Sequence, residues 1–416
     1  MSAGPDPEPV DVLVVGGGPA GLAAAGAAAA AGAGRVVVVE REDRAGGVPR
    51  HCHHTGFGLR DVHRMLTGPA YARLLVGRAE AAGVEVVTAT MVTGWAGPGI
   101  AEVTGPHGRR RLRAAAVVLA TGARERPRAA RLVPGDRPGG VFTTGQLQQH
   151  VHVHHLAVGR RALVVGAEHV SYSALLTLRH GGARPVAMVT GLPASQTLAS
   201  FRLAARLGLR VPLWTSTVVR AIHGASRVEA VELDDLSTGR TTTVAVDTVV
   251  FTGDWIPDHE LARSAGLLID RGTLGPAVDQ RGRTTADHLF AAGNLVHPVE
   301  TADVAARRGR RVGATAAAWL RDRAPAGPTV PVLAVAPLRW VAPNLVTAGV
   351  VGTRSMLLRT DEFLSGARLV VDQDGRRLAG VRLTRAVPNR SCAVPADWTA
   401  AVRADGGPVR VRVERA

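Results

Sequence analysis

One stretch, from Val10 to Glu40, constrains the fold more than any other: VDVLVVGGGPAGLAAAGAAAAAGAGRVVVVE. Val12 to Val15 is a short β-branched run suited to a buried parallel strand. Gly16, Gly18 and Gly21 follow in G-x-G-x-x-G spacing. In such a unit the first glycine makes the tight turn and the second admits the backbone to a pyrophosphate. The third lets helix and strand pack closely. Pro19 suits the first helical turn, where a missing N–H costs nothing. The helix start then offers unpaired N–H groups and a partial positive charge to phosphate. A second strand, Arg35 to Val39, ends in Glu40, whose carboxylate can accept ribose hydroxyls. Strand, turn, helix, second strand and terminal acid together point to dinucleotide binding.

The rest of the chain repeats and extends this theme. Residues 1–9 (MSAGPDPEP) read as a disordered lead-in. A glycine- and histidine-rich loop, REDRAGGVPRHCHHTGFGLRD, follows Glu40, and so long an irregular segment is usually functional. The pattern then predicts a helix over 67–82 with Thr67 as N-cap, a strand over 84–93, and a hairpin over 100–120 ending at Thr121-Gly122. Residues 160–190 repeat strand, turn, helix and strand, and VVFTGDWIPD echoes the earlier VVLATGARERP. Residues 285–320 predict a strand, a glycine turn and a long helix, followed by the linker RDRAPAGPTVP. Beyond residue 332 short β-type runs dominate, with Asp374-Gly375 as a hairpin turn. The predicted fold is α/β, with two Rossmann-like dinucleotide-binding domains, the second inserted in the first, and a small C-terminal β-rich domain. The boundaries are 10–155 and 265–322 for the discontinuous first domain, 156–264 for the second and 332–416 for the third.

Composition limits the partners. The formal net charge is +16, and all 50 basic residues are arginine, scattered along the chain. A solvated basic surface accounts for this better than nucleic-acid binding, which would need a clustered, aromatic-interleaved patch. Cys52 and Cys392 are the only cysteines and lie far apart, which argues against a disulfide framework or structural zinc. Val12 to Gly34 is uncharged and long enough to span a bilayer, but GGGP divides it and Asp6, Glu8 and Asp11 precede it. The expectation is a cytoplasmic protein with no direct membrane span.

The order of glycine turn, ATG strand, second βαβ unit, TG strand and AAGN strand-helix resembles the two-dinucleotide-domain flavoproteins, the pyridine nucleotide-disulfide oxidoreductase superfamily. GGVPRHCHHTGFG followed by LTGPAYA is similar to flavoprotein subunits related to glycerol-3-phosphate, opine, sarcosine and cyanide-forming dehydrogenases. The resemblance covers about residues 10–320. It implies that the first domain holds FAD, with Gly16, Gly18, Pro19 and Gly21 at the pyrophosphate. Glu40, with Arg41 beside it, would meet the adenosine ribose. Gly46 and Gly47 would lie under the flavin or ribityl chain, and Met91-Val92 beside the adenine. Thr121 and Gly122 match the ATG motif. Gly293 and Asn294 match a position where the family commonly has Gly-Asp, and Asn294 keeps hydrogen-bonding capacity without the charge. The helix opening at Thr301 would point its N-terminus at the flavin pyrimidine, where negative charge grows on reduction.

Two departures shape the chemistry. Disulfide reductases of this type cycle two cysteines, whereas the corresponding loop here has Cys52 alone, between His51 and His53. The second turn reads GAEHVS, with Glu168 where backbone would approach a diphosphate. The strand at 188–190 also offers no acid for a ribose, so NAD(P) binding there stays open. What remains is flavin oxidation of a C–H bond next to an amine or alcohol, with a base for the N–H or O–H proton. His54 or His53 would be that base, with Cys52 lining the flavin face and His297 approaching from the other end of the chain. The bland alternative is exposed loop histidines and a small packing cysteine. HVHVHHL at 150–156 reads as an alternating surface segment rather than a metal site, and Glu300 and Asp303 as helix caps. The expected activity is an FAD-dependent dehydrogenase subunit oxidising a small amine or hydroxy substrate and passing electrons to a second flavoprotein or iron–sulfur subunit. An NAD(P)H-dependent flavoprotein reductase and a catalytically silent FAD-binding subunit of a hetero-oligomer are the alternatives.

Overall fold

The computed structural model describes residues 6–414 except 198, 200–202, 204, 299, 326 and 351–354. The chain divides into two compact units, one of residues 1–50, 56–123 and 257–416, the other of residues 51–55 and 124–256. No helix among the described residues is long and apolar enough to cross a membrane.

The first unit opens with β1 (Glu8–Val15), α1 (Pro19–Ala30) and β2 (Val36–Val39). Then come α2 (Gly68–Ala81), β3 (Glu85–Val87), β4 (Met91–Gly97), β5 (Ile100–Gly105) and β6 (Gly108–Leu119). β1 lies parallel between β2 and β6, and β3 extends the parallel run beyond β2. Because helices cover both faces of such a sheet, its strands are apolar throughout rather than alternating. Val36 to Val39 are all buried, as are Val12 to Val15. β1 starts at Glu8 rather than after a lead-in ending at residue 9, because β6 continues alongside it and pairs Leu112 with Glu8. Residues 1–5 of that lead-in lie outside the described residues. The single strand expected over 84–93 is two: Ala89, at φ 49°, turns the chain between β3 and β4.

The second unit contains β7 (Val141–Thr143), α3 (Thr144–His152), β8 (Arg161–Val165), α4 (His169–His180) and β9 (Arg184–Val189). β10 (Leu213–Trp214) and β11 (Thr248–Phe251) complete a parallel sheet in the order β7-β11-β8-β9-β10. An antiparallel sheet of Thr217–His223, Ala230–Asp235 and Thr241–Ala245 accompanies it. The expected boundaries at 155 and 264 are therefore displaced. β7 pairs with β11, and Leu147 and Val151 of α3 share a core with Leu175 and Leu178 of α4. At the other end, Ala262 is buried in a core of the first unit and the Leu261 carbonyl accepts the Trp95 indole N–H at 2.9 Å.

The chain returns to the first unit with β12 (Leu289–Ala291), parallel to β6, and α5 (Ala302–Asp322). α5 lies against α1 through backbone rather than side chains. A Cβ on Gly309 or Gly313 would overlap the carbonyl oxygens of Ala20 and Ala24. α1 is two-thirds alanine, with little side-chain volume, so its burial depends on this close approach. The first C-terminal strand, Thr329–Ala334, begins inside the expected linker 321–331. A five-stranded and a three-stranded sheet then surround Leu358, Leu369, Val371, Trp398, Val409 and Val411. This region is not a separate body. Asn344 Oδ1 accepts the Val278 N–H at 2.8 Å, and the Thr347 hydroxyl donates to Asp279 Oδ2 at 2.9 Å, fastening it to the rest of the first unit.

Candidate cofactor and substrate sites

The first glycine turn is built by contacts that only glycine permits. Gly16 has φ +105° and its missing side chain leaves room for the Ala120 carbonyl; a Cβ on Gly21 would overlap the Gly16 carbonyl oxygen. Gly18 differs. It is the N-cap of α1 at φ −80° and ψ −178°, extended backbone open to any residue, and a Cβ there would meet only the Gly47 Cα, 3.9 Å away. Its glycine therefore keeps a space open rather than relieving strain. The helix start carries no side-chain cap and has Pro19 at its head, so its N–H groups face that space, as anion sites at helix N-termini require. Gly46 and Gly47 close the other side: the Gly46 N–H donates to the Gly17 carbonyl at 2.7 Å, and Gly47 has φ +61° against Gly18.

Glu40 is buried at the end of β2. Its Oε2 accepts the Gly17 N–H at 2.8 Å and its Oε1 the Glu42 N–H at 2.9 Å. Each oxygen keeps a second lone pair for a hydroxyl. In the turn before Met91-Val92, the Thr90 N–H donates to the Glu40 carbonyl at 2.9 Å. Val92 is buried and paired with Val103 inside the β4–β5 hairpin. Arg41 is exposed and lies 3.7 Å from the Asp258 carboxylate. Thr121 and Gly122 bond to a later segment of the same unit: the Thr121 hydroxyl donates to the Asp258 carbonyl at 2.7 Å, and the Asp258 N–H to the Gly122 carbonyl at 3.0 Å.

Gly293, at φ +72°, lets the chain pass against Ala20 at the start of α1. Asn294 uses its amide within its own loop, accepting the Glu300 N–H at 2.8 Å and donating to the Glu300 carbonyl at 3.2 Å. Thr301 is the exposed N-cap of α5 and makes no side-chain capping bond. Asp303 does not cap the helix as expected. Its carboxylate accepts the Gly58 and Arg60 N–H groups at 2.6 and 2.9 Å, fixing the loop that follows Phe57. Glu300 likewise turns away from capping and accepts the Ser391 hydroxyl of the C-terminal region. His297 is enclosed, its Nε2 against the Arg308 guanidinium and its ring 5.1 Å from Trp340. Burial, with Arg308 and Arg359 nearby, holds it well below the usual imidazole range, hence neutral.

The loop residues Cys52, His53 and His54 belong to the second unit. Cys52 is buried, its thiol donating to Gln148 Oε1 at 3.2 Å, and burial pushes it up to about 12. His51 Nδ1 faces the same Gln148 oxygen at 3.3 Å, and the Gln148 amide donates to Ser173 Oγ at 2.8 Å. His53 stacks on His152 at 4.2 Å, and His152 lies 4.9 Å from His180. Of the histidine-rich segment at 150–156, His150 to His152 form the end of α3, and the rest follows the helix. Desolvation and the neighbouring imidazoles hold His152 down to about 4. His54 Nδ1 donates to the Thr55 carbonyl at 2.8 Å, which makes Nε2 the basic nitrogen.

Glu125, in the same unit, was not visible as special in sequence. It is 6% exposed, accepts the Gly145 N–H at 2.8 Å, and its Oε1 has no hydrogen-bond partner among the described residues. Burial pushes its carboxyl up to about 7. An acid raised in the folded state stabilises the fold less as pH rises through the interval between its unfolded and folded values. Glu125→Gln should thus raise the thermal unfolding midpoint above about pH 7 and leave it unchanged near pH 4. A parallel offset at both pH values would contradict the raised carboxyl.

These features define a flavoprotein with two dinucleotide-type units. The sequence profile described as pyridine nucleotide-disulphide oxidoreductase matches residues 10–309, and the chain belongs to that family. Members of the family bind FAD, and NAD(P) is also used within it. No curated protein matches the sequence. Among solved structures, thioredoxin reductase from T. acidophilum is 18% identical with a TM-score of 0.63, over 75% of this chain and 98% of that one. Bacillithiol disulfide reductase from Bacillus cereus is 23% identical with a TM-score of 0.60, over 76% and 100%. L-proline dehydrogenase from P. horikoshii is 20% identical with a TM-score of 0.57, over 77% of this chain and 59% of that one. At these identities the likeness is one of fold.

Proposed function

We propose that this flavin-family oxidoreductase is an FAD-dependent dehydrogenase acting on a small amine or hydroxy substrate and passing electrons to a partner protein. The observation that carries the reading is Cys52. A dithiol–disulfide cycle needs a second cysteine and an accessible thiolate. Here the thiol is solitary in its loop, buried on Gln148 and pushed up to about 12. The open cradle at Gly18, the α1 N-terminus and Glu40 fit FAD, with Gly46, Gly47, Gly293 and the N-terminal end of α5 completing the set. Bound FAD supplies a two-electron acceptor for a C–H bond next to nitrogen or oxygen. The task left to the chain is to remove the N–H or O–H proton, and His54 Nε2 is the base we assign to it.

His54→Ala should leave FAD bound and slow substrate-driven loss of flavin absorbance at least ~10-fold, a barrier increase of about 1.4 kcal/mol. An unchanged rate would remove His54 from the reaction. The reading as a whole is tested by anaerobic mixing of the FAD-loaded protein with L-proline, N-methylglycine and glycerol 3-phosphate, followed by an artificial electron acceptor. Flavin bleaching by one of them, reversed by the acceptor, is expected. NADPH-driven reduction of a disulfide with no response to any amine or alcohol would overturn it.

A further inference from the structure

We infer that the second unit is closed to pyridine nucleotides by its own Glu168, and that its remaining role is to hold the loop 51–55. The two glycine turns have the same backbone. Gly18 caps α1 at φ −80° and ψ −178°, and Glu168 caps α4 at φ −92° and ψ 178°. Gly16 and Gly166, at φ +105° and +141°, begin them. The difference is confined to what stands on the cap residue. At Gly18 the space is open. At Glu168 a side chain fills it and is fastened at both oxygens: Oε2 accepts the Ala167 N–H at 3.0 Å, and Oε1 accepts the Thr252 hydroxyl at 2.5 Å.

This carboxylate lies across the crevice a dinucleotide would follow. Thr252-Gly253 ends β11, which flanks β8 as β6 flanks β1. A Cβ on Gly253 would stand 2.5 Å, and one on Gly166 2.9 Å, from the Glu168 Oε1. The acid therefore spans the gap between turn and neighbouring strand and is itself buried. The turn's outward carbonyl is taken as well, with Gln196 N–H donating to Ala167 O at 3.2 Å and the Ser195 hydroxyl at 3.4 Å. A diphosphate would have to displace a buried carboxylate of its own sign from the space that stays open at Gly18. Nothing at the end of β9, Val189-Thr190, replaces the lost contacts with a ribose-binding acid.

What the unit holds instead is visible on its helices. Gln148 of α3 receives His51 and Cys52 on one oxygen and is anchored to Ser173 of α4, while His152 of α3 stacks on His53. The dinucleotide fold thus survives as a mount for the histidine loop. This inference stands apart from the choice of substrate, because nucleotide binding and thiol exposure are both measured without turnover.

Isothermal titration of the FAD-loaded protein with NADH and NADPH should show no saturable binding up to ~1 mM. Glu168→Gly should gain binding at least ~10-fold tighter than that limit, whereas Glu168→Gln, which keeps the plug without its charge, should gain less. Gln148→Ala should raise the rate at which Cys52 reacts with an aromatic disulfide reagent at least ~10-fold without creating nucleotide binding, since burial is what protects the thiol. Saturable binding of either nucleotide by the unaltered protein would overturn the closure. So would a folded Glu168→Gly protein that still fails to bind. Unchanged Cys52 reactivity in Gln148→Ala would overturn the mounting role.

Discussion

Gly18→Glu will yield a folded protein without flavin. Gly18 sits at φ −80° in extended backbone, so the substitution brings no strain, and the second unit already accommodates glutamate in the same conformation. What it removes is space and charge complementarity. A carboxylate about 4 Å from a phosphate, at an effective dielectric of about 20, costs roughly 4 kcal/mol, or close to a thousand-fold in affinity. The purified variant should be colourless, with unchanged far-ultraviolet circular dichroism and no FAD released on denaturation. A yellow, FAD-replete variant would show that a glutamate at this position does not exclude a dinucleotide. That result would also remove the basis for reading Glu168 as a plug.

The second large effect is mechanical. Gly313→Val should destabilise the first unit by ~3 kcal/mol or more, because its Cβ would overlap the Ala24 carbonyl oxygen, an atom of the backbone that cannot rotate away. α1 must then shift from α5, carrying its phosphate-facing end with it, so FAD affinity should fall together with the thermal midpoint. Gly26→Ala in the same helix is the control. Its Cβ would lie 3.9 Å from the Ala79 Cα, an ordinary contact, and the helix gains up to ~1 kcal/mol of propensity. Destabilisation of equal size by both substitutions would refute close backbone packing as the cause.

The parts of the molecule legible in its sequence are those that local chemistry dictates. The β1–α1–β2 unit, its echo at β8–α4–β9 and the β12–α5 ending follow from apolar runs, glycine turns and caps within a few residues of one another. Glu168 stood out because one residue broke a spaced pattern. The domain boundaries were not legible, since β7 joins its sheet only through β11, more than a hundred residues later. Asp303 looked like a helix cap because the loop it holds begins at Gly58. Gln148 gave no signal, as its partners are His51 and Cys52. Gly309 and Gly313 carried one, a small residue at every fourth position of a helix, lost among the surrounding arginines. His297 was expected beside the flavin on the strength of its neighbours in sequence, yet it packs on Trp340.

The state of the two thiols sets how the protein meets an oxidising cell. Peroxide and alkylating agents attack the thiolate, not the thiol. Burial raises Cys52 to about 12 and Cys392 above its ordinary value, so neither presents an appreciable thiolate at neutral pH. A chain that shares its architecture with thiol-exchange enzymes is thereby insulated from the thiol–disulfide balance around it.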